Sequence, residues 1–171
     1  MKIKPPSLKK SRTVINAFWL TAILLFVVWF IVGYKYGLIY TKGESMSPAY
    51  SDGEWVVIEK INFPPNWIPD RFDVIVIEDE VSGENLCKRI IGVPGDTIEI
   101  KDGFIYLNDK LLKDSFGYGR IISEEIGETI DYINQEKFTV SEGLVWIIGD
   151  NRRLSVFRQL PIKDIKGLVI L

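Results

Sequence analysis

The stretch Thr97-Ile-Glu-Ile-Lys-Asp-Gly-Phe-Ile-Tyr-Leu107 decides the fold class. Two short runs rich in β-branched and aromatic residues flank Asp102-Gly103, a dipeptide whose two residues both accept positive φ and so close a two-residue hairpin. Asn108-Asp109 turns the chain again before Leu111-Leu112. Working outward, similar apolar runs recur at Glu54–Ile58, Phe72–Ile77, Leu144–Ile148 and Gly167–Leu171. Many short strands without a sustained helical period predict a mainly β chain from Thr41 onward, barrel-like or built of packed sheets. Phe63-Pro-Pro-Asn-Trp-Ile-Pro69 cannot donate a full ladder and reads as a loop or edge. Within it, Phe63, Trp67 and Ile68 are either a cover over the core or a group dipping into a membrane interface. Residues 115–135 mix Gly, Ser and acids and read as an irregular excursion or hairpin.

Upstream of this domain lies a different composition. Val14 to Gly33 is 20 residues without a charge, which at about 1.5 Å per residue spans the roughly 30 Å hydrocarbon core of a bilayer. Lys2, Lys4, Lys9, Lys10 and Arg12 precede it, and Tyr34, Tyr36 and Tyr40 follow, a ring type favoured at the headgroups. The expected organisation is a basic N-terminus over 1–13, a single transmembrane anchor helix over 14–33 and an extracytoplasmic all-β domain over 34–171. The excess of Lys and Arg before the span places the N-terminus in the cytoplasm. A cleaved signal peptide fits less well, because its apolar core is shorter and ends in a small-x-small site.

Charge and composition exclude several functions. The first 40 residues hold six basic side chains and no acid, whereas the remainder carries 15 basic against 23 acidic, a net charge of −8. So acidic a domain repels phosphates, and no nucleic-acid partner is expected. The chain has no histidine, which removes Ser–His and Cys–His nucleophile systems and His-ligated zinc. Cys87 is the single cysteine, so there is no internal disulfide and no Cys-rich metal site. No metal and no cofactor are expected. Any catalysis must rest on hydroxyls, carboxylates, lysines, arginines and backbone amides.

Three stretches hold such groups. In Gly43-Glu-Ser-Met-Ser-Pro48, Gly43 permits a close turn before Ser45 and Pro48 fixes the exit; the plain alternative is a linker turn. In Cys87-Lys-Arg-Ile-Ile-Gly-Val-Pro-Gly-Asp96, strand alternation sends one of Lys88 and Arg89 toward the inner face and the other outward. A lysine facing inward is desolvated, which lowers its pKa until a neutral amine can accept a serine proton; the plain alternative is a solvated edge lysine. Cys87 is expected to be a small apolar residue on the face opposite Lys88. In Trp146-Ile-Ile-Gly-Asp-Asn-Arg-Arg-Leu-Ser155, Asp150 and Asn151 suit hydrogen bonds to turn amides, and Ser155 can hold an amine in place.

In this order, behind an N-terminal anchor, the stretches resemble the type I signal peptidases, membrane-anchored serine proteases with a Ser–Lys dyad. Gly43, Ser45, Met46 and Pro48 match the family's G-x-S-M-x-P, and Arg71–Val76 matches x-G-D-V-V-V with Phe72 in place of the common glycine. Lys88–Asp96 matches K-R-I-x-G-x-P-G-D, and Gly149–Ser155 matches G-D-N-R-x-x-S. The resemblance implies Ser45 as nucleophile, Lys88 as general base and Ser155 as the residue that orients the Lys88 amine. It further implies the Ser45 backbone N–H as an oxyanion donor, with Gly43 at a position where some members carry a second, serine donor. Met46 becomes a candidate wall of the substrate pocket, while Asp150 and Asn151 are supporting residues. The implied partners are the bilayer and secretory precursor proteins, cleaved at the end of the signal peptide on the outer face of the cell (inner) membrane.

One departure stands out. The family motif continues S-x-D-S-R, whereas this chain reads Ser155-Val-Phe-Arg-Gln159, with Phe157 for the acid and Gln159 for its arginine partner. Packing by Phe157 must then brace the Ser155 loop, or the site is looser. The rival reading is a membrane-anchored β-domain without catalysis, a binding or assembly module. A self-cleaving Ser–Lys repressor fits poorly, given the anchor and the lack of a DNA-binding segment.

Overall fold

The computed structural model of the chain describes residues 8–60, 64, 67–79, 83–126 and 129–170. It divides after Tyr36 into two compact units. The first is a helix, α1 (Leu8–Lys35). Within Val14–Lys35 the mean hydropathy reaches 2.4 and none of the apolar window is buried, so this helix is long and apolar enough to cross a membrane. A helix apolar on every side suits the interior of a lipid bilayer or of a protein core. The polar Thr21 is satisfied locally, its hydroxyl donating to the Ala17 carbonyl at 3.0 Å. Lys2 and Lys4 of the basic cluster lie outside the described residues.

The second unit is built from strands, as its short β-branched runs predict. β1 (Tyr36–Tyr40), β2 (Trp55–Lys60), β3 (Val74–Glu78), β4 (Asn85–Gly92), β11 (Leu144–Ile148), β12 (Arg158–Pro161) and β13 (Ile165–Val169) form one sheet in the order β1-β2-β13-β3-β4-β11-β12. A second sheet has the order β10-β5-β6-β7, from β5 (Thr97–Lys101), β6 (Phe104–Leu107), β7 (Lys110–Leu111) and β10 (Gln135–Thr139). β8 (Ile122–Ile126) and β9 (Thr129–Tyr132) pair as a separate hairpin inside the excursion. The hairpin that decided the fold class has the expected register, Ile98 opposite Leu107 and Lys101 opposite Phe104, with Asp102 and Gly103 both at positive φ.

β3 and β11 are covered on both faces, which is why their sequences run nearly unbroken in apolar residues, while β4, equally covered, buries Lys88 and Arg89 among its apolar ones. Along β11, Trp146 and Ile148 enter a core with Ile91, Ile98, Ile100 and Ile105, while Val145 and Ile147 enter a second with Ile75, Ile77 and Ile90. Along β3, Val74 and Val76 join a third cluster with Met46, Val56, Ile58 and Cys87. Tyr36 and Tyr40 belong to β1, and Tyr40 packs edge-on against Trp55 at 5.4 Å. One strand boundary needs correction. β3 begins at Val74 because Phe72, where the family carries glycine, has φ 76 and ends the approach to the strand. Trp67 packs against the Ile75 and Ile77 cluster, leaving Ile68 as the exposed member of its group; Phe63 lies outside the described residues.

Candidate active site

Ser45 sits in a single 3-10 turn, Glu44–Met46, that leaves the sheet just after β1. Gly43 starts this turn with φ 84 and ψ 160, a conformation that favours glycine, and its N–H donates to Asp52 Oδ1 at 2.7 Å. A side chain at that position would strain the backbone. Met46 is the anchor of the turn. It is 3% exposed among Val56, Ile58, Val74, Val76 and Cys87, so it is a core residue and not the pocket wall anticipated for it. At the start of the 3-10 turn the Ser45 N–H has no acceptor one turn back, leaving it a donor available to a ligand oxygen.

Lys88 lies mid-strand in β4, opposite Ile75 of β3, and only 7% of it is exposed. Its Nζ is 2.5 Å from Ser45 Oγ. Burial pushes the Lys88 amine below its ordinary 10.5; Cys87 is the next influence and opposes the fall, the positive charge of Arg158 adds a weaker downward push, and Asp150 opposes more weakly still. The Cys87 thiol is itself pushed up to about 11 by burial, so at neutral pH it carries no charge with which to oppose that fall. A desolvated amine against a serine hydroxyl is a base beside a nucleophile.

The alternation expected for Lys88 and Arg89 needs correction. The two do point to opposite faces, but Arg89 is also buried, because elements distant in sequence cover the outer face. Its guanidinium donates to both oxygens of Asp150 at 2.8 and 2.7 Å and to the Phe72 carbonyl at 2.8 Å, and it stacks on the Phe116 ring. Asp150 is 0% exposed and serves this ion pair through its side chain, not a turn amide.

Asn151 and Ser155 converge on the backbone of Ser45. The Asn151 N–H donates to the Ser45 carbonyl oxygen at 3.0 Å, and the Ser155 hydroxyl donates to the same oxygen at 3.1 Å. The Asn151 side-chain amide reaches the Glu44 carbonyl at 3.4 Å. Ser155 therefore fastens the serine turn; its hydrogen bond does not go to the Lys88 amine as the resemblance implied. The loop Gly149–Ser155 passes close enough to the turn for the Ser155 hydroxyl to meet this carbonyl. Gly149 makes that approach possible, since a Cβ there would lie 2.2 Å from the Ser45 oxygen and 2.3 Å from Ser155 Oγ.

Ser45 and Lys88 open onto a cleft of about 360 Å3. Its apolar lining comes from Ile77, Leu86, Ile147, Leu154 and Val156, and Arg158 stands in its wall. Leu154 and Val156 are 63% and 75% exposed, apolar side chains held out on the loop beside the site. Phe157, by contrast, turns inward and packs on Trp146 with ring centroids 5.6 Å apart. Among the described residues no group of acids and cysteine has the geometry to hold a metal ion. Sequence reading names Gly149 only as part of a motif and misses its close approach to Ser45, the place of Arg158 in the cleft, and an ion pair between Arg152 and Asp114.

A serine hydroxyl beside a buried amine, at an open apolar cleft on a β-domain, is an arrangement suited to a serine peptidase. The chain belongs to the family described as signal peptidase, peptidase S26, whose model matches residues 13–167. It is 33% identical to signal peptidase I U of Bacillus subtilis over 158 residues, 89% of this chain and 81% of that protein. It is 32% identical to signal peptidase IB of Staphylococcus aureus over 152 residues, covering 80% and 76% respectively. A crystal structure of a signal peptidase I from Enterococcus faecalis matches 58% of this chain and 95% of its own, with 25% identity and a TM-score of 0.44. The protein is thus a hydrolase that removes signal peptides.

Proposed function

We propose that this protein cleaves exported precursors through a Ser45–Lys88 dyad, with 1–13 in the cytoplasm, 14–33 in the bilayer and 34–171 on the far side. The observation that carries the reading is the 2.5 Å approach of the Lys88 amine to the Ser45 hydroxyl in a buried setting. Neutral Lys88 takes the hydroxyl proton as Ser45 Oγ attacks the scissile carbonyl. The oxyanion that forms is met by the Ser45 N–H, and the ammonium of Lys88 returns its proton to the departing amine. The acyl-enzyme is then hydrolysed by a water that Lys88 deprotonates in the same manner. The apolar cleft suits an extended segment with small side chains, bound by backbone hydrogen bonds along the turn that carries Ser45. Anchoring in the same bilayer as the precursor's apolar segment raises the effective concentration of the cleavage site.

The test is precursor cleavage by the detergent-solubilised full chain. Ser45→Ala is expected to retain the folded β-domain and lose cleavage; turnover by that variant would remove Ser45 from the nucleophile's role, and an inactive parent protein would favour a binding module.

Arg158 supplies a second test. Activity rises with pH as the amine loses its proton, and Arg158 helps hold that proton off. Arg158→Leu removes the neighbouring charge, so the rising limb moves to higher pH. Below the midpoint the rate should fall by up to about tenfold per unit of displacement, while the alkaline plateau stays put. A pH–rate profile that does not move would show that Arg158 leaves the base untouched.

A further inference from the structure

We propose that Asp114 and Arg152 are positioning residues. Together they form a clamp through which the segment 114–118 holds the loop Gly149–Ser155 against Ser45, taking over from the acid–arginine brace that Phe157 and Gln159 cannot form. The proposal rests on the Ser45 reading above.

The clamp is traced one hydrogen bond at a time. The Arg152 guanidinium donates through Nη2 to Asp114 Oδ2 at 2.9 Å and through Nη1 to the Gly149 carbonyl at 2.7 Å. One planar, five-donor group thus ties the carboxylate just before the excursion to the first residue of the active-site loop. The other Asp114 oxygen accepts the N–H groups of Phe116 and Gly117 at 3.2 and 2.5 Å, which fixes the carboxylate relative to its own turn. Both charged side chains are 5% exposed.

Backbone pairing continues the same contact. The Tyr118 N–H donates to the Asp150 carbonyl at 2.9 Å, and the Arg152 N–H returns a bond to Tyr118 at 3.1 Å. The next bond along the loop is Asn151 to the Ser45 carbonyl. Phe116 adds a second limb by stacking on Arg89, the partner of Asp150. At Gly117 a Cβ would stand 2.2 Å from the guanidinium, so the segment lies directly on Arg152.

Such a pair is an expensive way to gain stability, since two charges leave water and their attraction must repay the desolvation. What it provides is direction: the guanidinium plane permits one placement of the Gly149 carbonyl. A buried, directional pair whose next neighbours are the hydrogen bonds holding the serine turn is positioned to fix the geometry of attack. Positional errors near 1 Å are enough to lower turnover strongly.

Asp114→Asn removes the charge with little change of shape, and Arg152→Lys keeps charge while losing the fork. Two readouts are needed: steady-state kinetics on a precursor peptide, and hydrogen exchange across 149–155 and the Ser45 turn. Asp114→Asn is expected to lower kcat at least tenfold with KM within twofold, and to speed exchange at Asn151 and Arg152 more than tenfold while β3 and β11 exchange as before. Arg152→Lys should fall between the parent and Asp114→Ala. Unchanged kcat, a loss confined to KM, or unaltered exchange in the loop would each overturn the clamp. Should Asp114→Ala not fold, Asp114→Asn still decides the matter. Faster loop exchange in a chain whose parent form cleaves nothing would support the clamp and remove the dyad reading.

Discussion

Lys88→Met is expected to lower precursor turnover by at least about 10^3-fold and, at neutral pH, to raise the melting temperature. General-base catalysis contributes roughly 10^2 to 10^4 in rate, and Lys88 is the base in both acylation and deacylation, so its loss falls toward the upper end. Arginine cannot substitute, because a guanidinium stays protonated at any workable pH. The stability gain follows from the direction of the pKa shift. Burial holds the Lys88 amine below 10.5 in the folded chain, so between the folded value and 10.5 the unfolded chain binds the extra proton. Stability therefore rises with pH through that window. The contribution is complete above 10.5 and is lost as pH falls to the folded pKa, below which the folded protein carries a charge in a poorly solvated place. Methionine occupies a similar volume without any charge to bury, so that pH dependence should flatten. Thermal melts at several pH values, run on parent and variant, check it. A variant that remains active, or a parent and variant with parallel stability profiles, would mean that the amine is neither base nor desolvated.

The legible and illegible parts of this chain differ in a physical way. β5, β6 and β11 were readable because their period and turn chemistry are local; Thr97–Leu107 carries its register in its own sequence. β4 and β12 interrupt their apolar residues with Lys88, Arg89, Arg158 and Gln159, and become strands only because neighbours in the sheet pair with them. Arg89 illustrates the limit most clearly. Alternation correctly separated it from Lys88, but whether the far face is wet depends on Asp150 and Phe116, which arrive from other parts of the chain. Within the site, the family resemblance implies the pairing of Ser45 with Lys88, whose amine lies 2.5 Å from the Ser45 hydroxyl. The acceptor chosen by Ser155 depends on how the loop is placed against the serine turn, which no residue pattern encodes. Met46 went to the core for a similar reason: its turn direction, set by Gly43 and the 3-10 geometry, aims it at Val56 and Val74.

Gly149→Ala should cost at least about 100-fold in kcat, although it adds one methyl group and touches neither a charge nor a proton. The new Cβ would stand 2.2 Å from the Ser45 carbonyl oxygen, 2.3 Å from Ser155 Oγ and 3.0 Å from the Ser45 carbonyl carbon. Two of these neighbours belong to backbone, so rotating a flexible side chain does not relieve them; the serine turn and the loop must separate by about 1 Å to restore normal contact. That separation stretches the bonds from Asn151 and Ser155 that locate the turn. A shift of about 1 Å at a reacting group is worth around 100-fold in rate, or about 2.7 kcal/mol of barrier. The cores around Ile75 and Trp146 do not include Gly149, so the variant should fold with the parent's near-ultraviolet dichroism. Because the apolar cleft wall at Ile77, Leu86 and Ile147 is built on strands away from the collision, KM should change much less than kcat. Kinetics at the alkaline plateau separate this effect from any change in Lys88 ionisation. If Gly149→Ala turns over within a few-fold of the parent there, the serine turn is not held by this loop and its placement must come from Met46 and the sheet alone.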